Sequence, residues 1–127
     1  MKSDGEATRP ANGSPRLRPG EEIRDRVAVN AVQHDRTFGG HLYVTSKRLI
    51  FVPNPYGQSR GAVRFETRFK EITELGLAPR GRTIWDGSWR RRVRVTTRTG
   101  QTAYFIAWRP RQMLALIERA RSGAQPS

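Results

Sequence analysis

Along residues 20–109 the apolar positions recur at the short periods of β-strands. Ile23, Val27, Val29, Ala31 and Val32 form a first run. Over residues 41–45, Leu42 and Val44 alternate with Tyr43 and Thr45, the two-residue period of a half-buried strand. Leu49, Ile50, Phe51 and Val52 are continuously apolar and stop at Pro53, which suits a strand covered on both faces. Asn54-Pro55-Tyr56-Gly57 is dense turn chemistry. Residues 62–67 read as a fourth strand with Val63 and Phe65 facing one way, and residues 72–77 as a weaker fifth. Then Val93 and Val95 take one face of a strand and Arg92 and Arg94 the other. Thr99-Gly100 turns the chain into residues 102–106, completing a hairpin. One segment has a different period. Met113, Leu114, Leu116, Ile117 and Ala120 line one helical face over residues 110–121, with Pro110 in the first turn, Arg119 and Arg121 in the last, and Gly123 as a stop.

The pattern predicts a mainly β fold, a small barrel or sandwich of about seven antiparallel strands, capped by one C-terminal amphipathic α-helix. Such a helix is too short to be stable alone and must dock on the sheet. Residues 1–19 hold Gly5, Pro10, Gly13, Pro15 and Pro19 and almost no large apolar side chain, so they read as a disordered arm. The domain is expected over residues 20–121, with a frayed tail at 122–127.

Length and composition narrow the class. A chain of 127 residues is one domain by default and long enough to bury a core. The absence of cysteine excludes a disulfide scaffold, thiolate metal sites and a Cys nucleophile. The apolar runs are a handful of residues long, and the first residues lack the apolar stretch of a signal peptide, so a cytoplasmic chain is expected. The net charge is +13, from 24 basic and 11 acidic residues. An Arg-rich bias can come from a GC-rich genome, so location carries more than the total. Residues 80–98 hold seven Arg and one Asp, net +6, nearly half of the excess in a short stretch. A clustered patch of this kind attracts polyanions, whether phosphate backbones or anionic lipid headgroups.

Gly40-His41-Leu42-Tyr43-Val44-Thr45-Ser46-Lys47-Arg48-Leu49-Ile50-Phe51-Val52-Pro53 resembles the signature of GRAM domains, a branch of the pleckstrin-homology-like superfamily, here of a bacterial single-domain kind. Leu17-Arg18-Pro19-Gly20-Glu21-Glu22 resembles the family's lead-in to its first strand, and Phe69-Lys70-Glu71-Ile72-Thr73-Glu74-Leu75 the segment after its fourth. The resemblance spans nearly all of the ordered chain. It implies a non-enzymatic module for membranes or protein partners. The superfamily's best-known inositol-phosphate site is a Lys and Arg run around the first hairpin loop. This chain departs there, since residues 33–38 carry one Arg and one Asp and no net charge. Read physically, Gly40 permits close or left-handed backbone at a strand start, and the Thr45 and Ser46 hydroxyls close a tight turn.

The candidate site is the basic loop. Arg80, Arg82, Arg90, Arg91 and Arg92 would attract an anionic lipid surface, and Trp85 or Trp89 would anchor at the interface. Without a ligand role, the two Trp pack on the barrel and the Arg side chains form a solvated rim. Two other partners fit the same chemistry. The resemblance implies one of them, an acidic protein partner, since superfamily members commonly bind peptides at the groove between a strand edge and the helix. Nucleic acid could be gripped by Arg forks and Trp stacking, although no recognised motif supports it. His34 and His41, with Asp35 nearby, could approach one another, yet such a pair is more often ordinary surface and strand chemistry. No nucleophile elbow or phosphate-cradling glycine loop appears, and no cofactor, metal or small-molecule substrate is expected. Tyr56 lies on a Pro- and Gly-rich loop as a contact or a packing residue, and Trp108 is expected in the core or under the helix. Attachment would be peripheral, on the inner face of the membrane.

Overall fold

The computed structural model describes residues 15–33, 36–78 and 92–123. Seven strands form one antiparallel sheet in the order β4-β3-β2-β1-β7-β6-β5. In chain order they are β1 (Ile23–Gln33), β2 (Arg36–Thr45), β3 (Arg48–Pro53), β4 (Phe65–Arg68), β5 (Ile72–Ala78), β6 (Arg92–Thr97) and β7 (Thr102–Ala107). A short helix α1 (Pro55–Ser59) precedes β4, a 3-10 turn (Phe69–Glu71) joins β4 to β5, and α2 (Pro110–Ser122) ends the fold. β1 is the shared strand. It pairs along its length with β2, and at Val29–Val32 with β7. The sheet bends on itself there without closing, since β4 and β5 remain its edges. The result is a pleckstrin-homology-like sandwich capped by a helix, which resolves the barrel-or-sandwich choice.

The core sits between the two halves. Phe51 of β3 and Phe65 of β4 approach Phe105 of β7 at ring-centroid distances of 5.7 and 5.9 Å. Leu42, Val44, Leu49, Val93 and Val95 fill the space around them. Met113 and Ile117 of α2 complete the cluster, with Leu114, Leu116 and Ala120 packed against it. β3 is buried on both sides, as its unbroken apolar run predicts, because Ile50 and Val52 form a second buried cluster with Tyr43. The β6–β7 hairpin turns at Gly100, whose φ of 90° suits a residue without Cβ.

Gly40 shows the other use of glycine. Its backbone is not left-handed; it sits in register with Pro53, and an added Cβ would fall 2.4 Å from the Val52 carbonyl oxygen and 2.8 Å from the Pro53 Cα. Both are backbone atoms of a buried strand and cannot swing away. Gly40→Ala is therefore expected to lower stability by about 1–3 kcal/mol, the range for overpacking. A denaturant midpoint unchanged from wild type would contradict the close approach.

Several local expectations change. The fourth strand begins at Phe65 rather than at residue 62, and Val63 is 57% exposed. The Gln33 side-chain amide takes up Val63 instead, donating to its carbonyl at 2.9 Å and accepting from its N–H at 3.0 Å. The turn at residues 54–57 opens α1, where Asn54 Oδ1 accepts the Gly57 N–H at 2.8 Å and Pro55 takes the first helical position. Trp108 is not core: it is 76% exposed. Of the arm expected over residues 1–19, residues 15–19 are described and lie against the sheet. Pro15 is buried, the Arg16 carbonyl accepts from Arg48, and the Arg18 N–H donates to Glu21.

Candidate functional site on the outer face of β6 and β7

Of the seven residues proposed from sequence, Arg92 alone falls within the described structure. Arg80, Arg82, Trp85, Trp89, Arg90 and Arg91 lie outside the described residues. Arg92 is the first residue of β6. The strand alternates as its sequence predicts, with Val93 and Val95 fully buried. Arg92 and Arg94 therefore point to the opposite, outer face.

The register builds a basic and aromatic surface there. Arg94 is paired with Tyr104 of β7, and the Arg92 guanidinium lies 5.3 Å from the Tyr104 ring centroid, a cation–π distance. Arg94 Nη2 approaches Glu74 Oε1 of β5 at 3.8 Å, a long and half-exposed ion pair that neutralises little. Tyr104 and Ile106 share the outward phase of β7, and two residues on, Trp108 continues it beyond the strand end. Antiparallel pairing puts the start of β6 beside the end of β7. Arg92, at the start of β6, thus lies at the end of the sheet where Trp108 emerges. Beside the Trp108 ring is a depression of about 330 Å³, floored by Ala28, Asn30, Gly39 and Ile106. Residues 92–117, which run through β6, β7 and the first two turns of α2, hold five Arg and no Asp or Glu.

The other candidates are less suggestive. His41 is half-buried; burial, and then the charge of Arg26, lower its pKa, so the imidazole is neutral at neutral pH. His34 lies outside the described residues, and among those described no group of three His, Cys, Asp or Glu could hold a metal. Tyr56 is 69% exposed on α1, where Arg60 stacks on its ring at 5.3 Å and donates to its hydroxyl at 2.8 Å. No helix among the described residues is long and apolar enough to cross a membrane.

One cluster escapes the sequence reading. Arg48 enters the sheet face as a buried cation, donating from Nε to Glu21 Oε2 at 2.7 Å and from Nη2 to Glu21 Oε1 at 3.0 Å. Its Nη1 donates to Glu66 at 2.6 Å, and the Thr45 hydroxyl donates to Glu21 at 2.6 Å. Thr45 Oγ1 also accepts the Lys47 and Arg48 N–H groups, which closes the β2–β3 turn. The group is structural: it ties residues 16–22 to that turn. Its signal was present in the motif, as a Glu in the lead-in and a Thr and Arg around the turn.

No protein-family model matches the chain, and no curated protein matches it. Among solved structures it is similar to the C-terminal domain of an unknown protein from Leishmania infantum. That likeness has a TM-score of 0.64 and covers 82% of this chain and 87% of that one, at 16% sequence identity. It concerns the fold alone, and it agrees with the sandwich.

Proposed function

We propose that this chain is a GRAM-like module that attaches, without catalysis, to anionic membrane lipid as a peripheral protein on the inner face of the membrane. The observation that carries the reading is the outward phase of Arg92 and Arg94. In the sequence they continue the basic stretch of residues 80–91, and they stand on a paired strand of the sheet, where the Arg94–Glu74 ion pair is long and half-exposed. Arg80, Arg82, Arg90, Arg91 and Arg92 supply the attraction, each worth about 1 kcal/mol near an anionic bilayer, and Trp85 or Trp89 supplies interfacial burial. The sum is at most about 5 kcal/mol, a weak and salt-sensitive attachment. A docking groove along the helix finds less support, because the apolar residues of α2 are turned into the core cluster.

Vesicle flotation tests this. Phosphatidylcholine vesicles with and without phosphatidylserine are compared across a salt series, with single-stranded oligonucleotide as competitor. Binding is expected only with the anionic lipid and is expected to fade as salt shortens the Debye length from about 8 Å at 0.15 M to about 3 Å at 1 M. Absence of binding at low salt sinks the proposal. Preferential capture by the oligonucleotide would move the assignment to nucleic acid.

A further inference from the structure

Among the described residues, Trp108 is the most exposed aromatic side chain. We infer that Trp108 is a fixed anchor that seats the end of β7 and the start of α2 in the interfacial layer of an anionic bilayer; this rests on the membrane reading above. An exposure of 76% is large for an indole that comes directly off a core strand. The residue before it, Ala107, is buried at 3%, and β7 is hydrogen-bonded on both sides, to β1 and to β6. The α2 helix, held down by Met113 and Ile117, begins two residues later. The backbone at Trp108 is thus clamped between two docked elements, while its side chain projects outward. An indole carried on a held backbone loses less conformational entropy on insertion than one on a segment that must first be ordered.

The surroundings select the partner. Arg109 and Arg111, both exposed, flank the start of α2, and Arg92 lies at the adjoining end of β6. Between positions 92 and 117 the sequence holds no acidic residue, so the charged side chains on the strand end and helix start next to Trp108 are all cationic. An indole with arginines beside it suits the headgroup layer of an anionic bilayer, where the apolar ring is buried, its N–H remains hydrated and the cations meet phosphate.

The test uses the full chain with Trp85→Phe and Trp89→Phe, which leaves Trp108 as the sole tryptophan of the three. With phosphatidylcholine–phosphatidylserine vesicles carrying brominated acyl chains, its emission is expected to shift to the blue and to be quenched. In the otherwise unaltered chain, Trp108→Ala is expected to lower partitioning to the same vesicles about tenfold or more, the scale of burying one large side chain. The thermal midpoint should be unchanged, because the side chain is exposed. If the unaltered chain binds anionic vesicles, yet Trp108 emission neither shifts nor quenches and Trp108→Ala binds normally, the anchor is wrong and the membrane reading stands. If the unaltered chain binds no anionic vesicle, both fall.

Discussion

Replacing Arg48 by methionine is expected to cost about 3–5 kcal/mol of folding stability, the range for removing one partner of a buried ion pair. The side chains of Arg48 and Glu21 are 6% and 0% exposed. Methionine fills the volume of the stem but leaves the Glu21 carboxylate in the interior with Thr45 and the Arg18 N–H alone. The lead-in at residues 16–22 should loosen with it, because the Arg16 carbonyl also loses its donor. Replacing both partners by apolar residues, Arg48→Met with Glu21→Leu, should recover part of the loss, since the desolvation cost goes with the charge. The pH dependence gives an independent reading. Burial alone would raise the Glu21 pKa; hydrogen bonds from Arg48, Thr45 and the Arg18 backbone, with the charge of Arg48, outweigh it and bring the value from 4.5 down to about 2. A carboxyl whose folded pKa is depressed contributes stability above its unfolded pKa and loses it as pH falls. Wild-type stability should therefore decline between pH 4.5 and about 2 by roughly 3 kcal/mol from this group. Glu21→Gln should flatten that slope. Chemical denaturation across this pH range checks both statements, and an Arg48→Met protein as stable as wild type would refute the first.

The second large effect is on binding. Reversing Arg80, Arg82 and Arg90 to Glu should lower partitioning to phosphatidylserine vesicles more than a hundredfold. Loss of three attractions alone removes about 3 kcal/mol, and the new repulsions add to it. Unchanged far-UV circular dichroism and an unchanged thermal midpoint serve as the folding controls. Retained vesicle binding by this variant would sink the proposed role of residues 80–92. Partial loss restricted to low salt would instead identify the three charges as long-range steering, with the contact made elsewhere on the surface.

Much of the fold was legible because strands, turns and helices leave near-neighbour signals. The alternation of Val93 and Val95 with Arg92 and Arg94 predicted which way each side chain of β6 faces, and the register agrees. Pro110, the apolar spacing to Ala120 and Gly123 predicted α2 to within a residue. Where local signals conflicted, the reading slipped. Asn54-Pro55 serves a helix start as well as a turn, and the choice was made by the four residues of α1 that follow Pro55. Val63 carries a strand side chain, yet its hydrogen-bonding groups were claimed by Gln33, thirty residues earlier.

The sequence by itself determined the strand phases, the closing helix, the concentration of positive charge in residues 80–98 and the lack of thiol chemistry. These depend on composition and on periods of two and 3.6 residues, which need no knowledge of distant partners. The tertiary structure decided the rest. It bent the sheet at β1 without closing it, brought Glu21 to Arg48 across 27 positions, and pressed Gly40 against the backbone of β3. It also turned Trp108 outward, because its phase on β7 continues that of Tyr104 and Ile106 and because Met113 and Ile117 of α2 fill the space on the core side. Which face an aromatic side chain takes depends on strand phase and on what covers the other side, and the covering element belongs to another part of the chain.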